Sequence, residues 1–374
     1  MFLALREVRR APVRFGLLVA ATALLVFLIL VQQALRDGLI TAFVGAVRNQ
    51  SAPVLVYSVD AQRTLQGSVM PPQLEEAVLA TGGIGAAARI RQGTFTVRVT
   101  GRDDDSDAAL VGSDDPDLGW PRTLSAGRRP ATAGEAVGSD VDFAVGDRVT
   151  VLAAPGAGDV TVTVVGLAQD VQLNVTPTLF TDLATATAAV RAVNPDAGRV
   201  PPNALALRPA AGVDGAALVD RINDTVGDAE ALTRAQAADR APGVDQVRQS
   251  FQVIFALYAL VVPLVTGLFF LIATLQKARA LTLLRAIGAR AGTLAWALLA
   301  QVVLVIGLGL ALGTALYAPL SQARVGGLAL RFDADAVVAW SLLILVLGLA
   351  SAAASLRHVL RTDPIEATTA AGAR

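Results

Sequence analysis

The chain has 374 residues, 31 Lys and Arg against 31 Asp and Glu, one His, no Cys and an apolar fraction of 54%. A mean hydropathy of +0.56 is too high for an ordinary soluble domain, so one part of the chain must be far more apolar than the rest. Without Cys, disulfides, thiolate metal sites and cysteine nucleophiles are excluded.

The zero net charge conceals a segregation. Between Arg36 and Arg248 there are 26 acidic and 18 basic residues, which leaves 5 acidic and 13 basic for the remainder. This pattern places the two portions on opposite sides of a membrane.

Residues 1–14 carry Arg6, Arg9, Arg10 and Arg14. The uncharged run 15–35 that follows is long enough to cross roughly 30 Å of hydrocarbon as a helix. A secretory signal is the alternative, but the apolar core is longer than such signals use and no small-x-small cleavage site follows it. Residues 36–248 form an insert that reads as mixed α and β. Alternation in 94–99, 148–152 and 160–165 predicts strands with one buried face, and 72–80 and 213–226 predict helices. Two βαβ-like pairings follow, helix 72–80 before strand 94–99 and strand 204–207 before helix 213–226.

At both ends of the insert an apolar stripe continues without a breaker. Leu39, Phe43 and Val47 extend the first span, while Val244, Val247 and Phe251 lead into the second. This predicts a paired helical stalk, with two independent short surface helices as the alternative. The cluster Asp103, Asp104, Asp105, Asp107, Asp114, Asp115 and Asp117 lacks the Gly and Glu spacing of a calcium loop and reads as a solvated loop. No catalytic constellation and no metal site is read from the chain.

Further spans are expected at 249–275, 291–320 and 336–356, separated by a basic segment at 276–290 and a short external loop at 321–335, with a tail at 357–374. Lys and Arg concentrate in 1–14, 276–290 and the tail, so these are expected on the cytoplasmic side and the insert outside. Gly309 and Gly313 in the span 291–320 permit close helix approach, and Pro263 in 249–275 permits a kink. No phosphate-binding loop of the Gly-x-x-x-x-Gly-Lys type exists, so the chain is not its own P-loop ATPase. The amphipathic segment 276–290 either docks a partner or anchors to anionic lipid.

The string Leu284-Arg285-Ala286-Ile287-Gly288-Ala289-Arg290 resembles the LRAIGA motif of FtsX-like permeases, the membrane subunits of MacB-type ABC transporters. Leu5-Arg6-Glu7-Val8-Arg9-Arg10 is similar to that family's amphipathic N-terminal helix, and Asp363-Pro364-Ile365-Glu366-Ala367 to its ending. Gly127-Arg128, Glu135-Ala136-Val137, Val145-Gly146-Asp147 and Val164-Val165-Gly166-Leu167 resemble its MacB-like extracytoplasmic core.

The resemblance implies a four-helix α-helical membrane protein with an α+β core domain inserted after the first helix, in a bacterial plasma membrane, both termini cytoplasmic. It implies a non-catalytic permease subunit with no cofactor of its own, ATP and Mg²⁺ residing on a cytoplasmic ABC ATPase present in two copies. It further implies a second permease protomer, identical or paralogous, a possible extracytoplasmic partner, contact with membrane lipid and none with nucleic acid. Lys277, Arg279, Arg285, Gly288 and Arg290 would dock the ATPase, whose motion would reach the outer domain by mechanotransmission to export or extract a substrate. The alternative is an FtsX-like regulatory subunit relaying that motion to a cell-wall hydrolase. Many relatives carry Glu at the start of the coupling segment, where this chain has Lys277 and Arg279.

Overall fold

The structure, a computed structural model, describes residues 12–276, 291–320, 324–325, 328–329 and 333–361. These divide into two units. One holds the long apolar helices, and the other, Asp37–Arg248 with Val325–Leu328, is a mixed α/β domain.

Helix α1 runs unbroken from Pro12 to Arg48, starting in the apolar unit and ending in the α/β unit. Pro12 at its first position leaves no required amide unmade, and the Leu, Val, Ala and Phe that follow contain no breaker. The α/β domain begins with β1 (Val54–Ser58), α2 (Pro72–Leu79), β2 (Ile84–Val99) and β3 (Ser106–Ser113). Next come β4 (Ala126–Gly127), β5 (Glu135–Ser139), β6 (Arg148–Val151), β7 (Val160–Ala168) and β8 (Thr178–Asp182). The domain closes with α3 (Leu183–Val193), β9 (Ala204–Pro209), α4 (Gly215–Thr225), β10 (Ala229–Thr233) and α5 (Arg234–Asp239). The remaining helices are α6 (Val244–Gln276), α7 (Ala291–Leu320) and α8 (Ala334–Arg361).

The strand order β10-β1-β9-β2 is antiparallel at each neighbour. With α2 between β1 and β2 and α4 between β9 and β10, it is a pair of interleaved split βαβ units, a ferredoxin-like layer. Strand β9 leads into α4 as expected, whereas α2 leads into a β2 whose part in this layer is Ile84–Ile90 and not the expected 94–99; in each unit a third strand lies between the two that are joined. Val54 and Val56 of β1 face a core with Val78, Leu218 and Ile222 of the two helices, while Leu55 and Tyr57 face the opposite core. A sheet covered on both faces explains why β1 and β9 read as continuous apolar runs rather than as alternating ones.

Strand β2 is 16 residues long and serves two bodies. Ile84–Ile90 pairs with β9, Ile90–Val97 with β3 and Val97–Val99 with β6. Following partners from β2 through β3, β8, β5, β7 and β6 returns to β2, which is a closed six-stranded barrel. Its interior is filled at alternate positions by Phe95, Val97 and Val99 of β2, Val149 and Val151 of β6, and Val162 and Val164 of β7, with Ala189 of α3. Closure removes exposed edges from this half of the domain. The predicted strands 94–99, 148–152 and 160–165 thus lie on one barrel.

In the apolar unit, Phe15, Val26, Ile29 and Leu30 of α1 pack with Val262 of α6, Val302 and Ile306 of α7 and Ile344 of α8. Val253, Leu257, Leu260, Leu264, Leu268 and Ile272 of α6 are exposed at three- and four-residue spacing, which suits a helix face turned to lipid. Among the described residues, three helices (Phe15–Arg48, Val244–Val265 and Leu299–Leu320) are long and apolar enough to cross a membrane. The fourth expected span falls in α8, whose described apolar stretch, Ala334–Ala350, is shorter.

Candidate functional site

The six residues expected on the stalk fall near the ends of α1 and α6. Val47 and Val244 are buried in the core beneath the ferredoxin-like sheet, with Ile40 and Val44 of α1, and Phe43 and Val247 pack against its margin. Leu39 is half-buried, and Phe251 is buried with its ring 6.2 Å from that of Phe255. The same core contains Leu55 and Tyr57 of β1, Ala206 of β9 and Leu232 of β10. The last three turns of α1 are therefore part of the interior of the α/β domain.

A second attachment comes from the loop after β7. Ala46 donates its amide to the Gln172 carbonyl at 2.9 Å, Asn174 donates to Phe43 at 2.9 Å and Val175 donates to Ala42 at 2.8 Å. The Asn49 side chain adds a bond to the Asp170 carbonyl at 2.6 Å. Gly45 lets the loop approach, because a Cβ there would lie 2.8 Å from the Asp170 carbonyl carbon. Asp170, Asn174 and Val175 all adopt positive φ, 56°, 52° and 61°. Asp and Asn tolerate this region, but a β-branched Val does not sit there without strain. No pattern of residue types in 170–175 pointed to this role, and Gly45 in a helical stripe was the one available signal.

The end of α1 and the start of α6 are also joined by charge. Asp239, the last residue of α5, pairs with Arg48 of α1 at 3.7 Å and with Arg248 of α6 at 3.4 Å. All three side chains are about half exposed, so the network is worth on the order of 1 kcal/mol or less. Helix α5 is fixed between them by a capping box in which Thr233 and Gln236 exchange side-chain and backbone bonds.

In the apolar unit, the expected close approach at Gly309 and Gly313 is made with α1. A Cβ on Gly309 would lie 2.6 Å from the Thr22 Cβ, and one on Gly313 2.7 Å from the Ala23 carbonyl oxygen. Trp340 of α8 donates to the Gln33 side chain at 3.3 Å, its ring lies 5.0 Å from Phe255, and the Arg36 guanidinium sits 5.6 Å over the Phe255 ring. Pro263 lies inside α6.

Lys277, Arg279, Arg285, Gly288 and Arg290 lie outside the described residues. In the acidic cluster, Asp105 pairs with Arg98 at 2.8 Å, Asp117 with Arg129 at 3.0 Å and Asp114 with Arg89 at 3.6 Å. Among the described residues no group of three His, Cys, Asp or Glu is placed to hold a metal ion. Glu135 is held down to about 2 by the Arg128 guanidinium and, after it, by the Ala131 amide. Burial works against ionisation of Asp182, but bonds from the Thr185 hydroxyl and amide outweigh it and keep its pKa below the usual carboxylate value.

These features define a protein of long apolar helices that carries a mixed α/β domain on the continuation of its first helix. Residues 252–364, running from α6 to just beyond α8, match the FtsX-like permease C-terminal family model. Among solved structures, the chain is similar to the periplasmic region of MacB from Actinobacillus actinomycetemcomitans, at 12% identity and a TM-score of 0.35, covering 55% of this chain and 95% of that one. It is also similar to the extracellular domain of the ABC-type transporter YknZ from Gram-positive bacteria, at 11% identity and a TM-score of 0.32, covering 48% of this chain and 99% of that one. No curated relative matches in sequence.

Proposed function

We propose that this chain is the permease subunit of an ABC transporter, converting the motion of a separate cytoplasmic ATPase into motion of its α/β domain relative to the membrane helices. The observation that carries this reading is the FtsX-like match over 252–364, which spans the basic segment between α6 and α7. In this reading there are four crossings, both termini and 276–290 are cytoplasmic, and the α/β domain is extracytoplasmic, consistent with the placement of Lys and Arg. Two ATPases would bind, each to one protomer of a permease dimer, with ATP and Mg²⁺ on the ATPases.

Mechanotransmission requires that a tilt at the membrane reach the outer domain without being absorbed by a hinge. Two features support it. Helix α1 has no break between Pro12 and Arg48, and its end is held by the domain core and by the loop 170–175. Arg279, Arg285, Gly288 and Arg290, with Lys277, receive the ATPase.

The test is co-expression with the ABC ATPases of the same cell, extraction in mild detergent, and measurement of co-purification and ATPase activity. The reading predicts a complex with one ATPase that Arg285→Glu disrupts while membrane insertion is retained. A chain that retains no ATPase under any condition contradicts it.

A further inference from the structure

Beside α3 the α/β domain holds a cavity of about 1060 Å³, lined among others by Arg89, Asp114, Ala131, Asp182, Leu183 and Arg191. Its charged groups are not equivalent. Arg89 is engaged by Glu75 at 2.6 Å and by Asp114 at 3.6 Å, and Asp114 also accepts the Arg89 amide at 2.7 Å. Asp182 is committed to the N-terminus of α3, where it accepts from the Thr185 amide and hydroxyl. Arg191, in the last turn of α3, has no carboxylate partner among the described residues. The cavity therefore carries one uncommitted positive charge, on a wall that is otherwise mostly Ala, Pro, Val and Leu.

Strand alternation puts Arg91 on the same face of β2 as Arg89. Arg91 is only 4% exposed. It donates to the Val200 carbonyl, its Nε has no hydrogen-bond partner, and no carboxylate pairs with it among the described residues. Burial, and after it the charge of Arg191, hold its pKa below the ordinary arginine value. A buried guanidinium is costly unless an anion satisfies it, and a guanidinium fork is the side chain best matched to phosphate or carboxylate.

We propose that Arg191 binds the oxyanion of an amphiphilic ligand, a phosphate or carboxylate on an apolar body, in this cavity. A volume of this size is at the upper end of small-ligand sites, and a mostly apolar wall with a few placed polar groups is their usual composition. The inference stands on the α/β domain alone and holds whether or not the chain works with an ATPase.

The test is calorimetric titration of the full chain in lipid nanodiscs with hexyl phosphate, hexanoate and hexanol, with empty discs subtracted. We expect one saturable site per chain for at least one of the anions and none for hexanol, and the tighter anion identifies phosphate or carboxylate as the recognised group. Arg191→Gln, an exposed position, should weaken anion binding at least tenfold, whereas Arg148→Gln, outside the cavity, should bind as the parent does. Unchanged affinity in Arg191→Gln, hexanol binding as tightly as the anions, or no saturable binding of either anion overturns the proposal.

Discussion

The Ala46 amide, in the last turn of α1, donates to the carbonyl of Gln172 at 2.9 Å. An amide at this position in an undisturbed helix serves the carbonyl four residues earlier, here Ala42, and that carbonyl accepts from Val175. The helix end and the loop are thus joined backbone to backbone. Such a joint depends on shape rather than on side-chain chemistry.

Gly45 makes the joint possible, so Gly45→Ala should break it. The added methyl meets the Asp170 backbone, and overpacking of this kind costs about 1–3 kcal/mol. Denaturant unfolding of the full chain should show the loss. Hydrogen exchange should show faster exchange at Asn174 and Val175, whereas unchanged protection there would mean that the loop is held by something else.

Val175 carries the local strain. At φ 61° its branched side chain costs about 1–2 kcal/mol relative to a residue that tolerates the left-handed region, and at 39% exposure it recovers little by burial. Val175→Asn should therefore stabilise the domain by about 1 kcal/mol in denaturant titration while keeping the hydrogen bond to Ala42. A destabilised variant would show that the Val side chain contributes packing greater than its strain.

Between the membrane helices, Gly313 and Ala23 define a close crossing of α7 on α1. Leu at 313 cannot be seated without separating the helices, because the Ala23 carbonyl oxygen and the Val26 Cβ both lie 2.7 Å from the Cβ position. Gly313→Leu should lower the melting temperature of the detergent-solubilised chain by several degrees, and Gly292→Leu, in open space, should not.

Glu135 sets an acid dependence. Its folded pKa of about 2 lies below the ordinary 4.5, so its ion pair with Arg128 favours the folded state above about pH 4.5, and that contribution is lost as pH falls toward 2. The difference in melting temperature between the parent and Glu135→Gln should be constant above pH 5 and narrow below it. A difference independent of pH would assign the effect to shape rather than to charge.

The apolar helices were legible because hydropathy is a local property, as were the helices at 72–79 and 215–225, whose stripes are regular. The barrel was not legible. Its closure joins β2 at Val97–Val99 to β6 at Val149–Val151, and no local pattern records a pairing across fifty residues. Helix α3 was missed because Leu-Ala-Thr-Ala-Thr-Ala-Ala-Val has weak contrast between its faces, although Asp182 three residues before Thr185 is a recognisable cap. The cavity was missed for the same reason as the barrel, since Arg89 of β2, Ala131 of the segment before β5 and Arg191 of α3 meet only once the domain is assembled. The residues expected on the stalk were named from periodicity alone, but the loop that grips the end of α1 lies about 120 residues away, at Asn49 and Asp170 121 residues apart.

The proposed function requires motion of the α/β domain driven from the cytoplasm. Because the chain has no Cys, nitroxide labels can be placed singly at Asp224→Cys on α4 and Val338→Cys on α8, both exposed. The measurement is the distance distribution between the two labels in one protomer, by pulsed electron resonance, in the complex with its ATPase, nucleotide-free and vanadate-trapped. Coupling through the ATPase should give distributions that differ between the two states and coincide when Arg285→Glu is introduced. Identical distributions in an ATPase-active complex would contradict it.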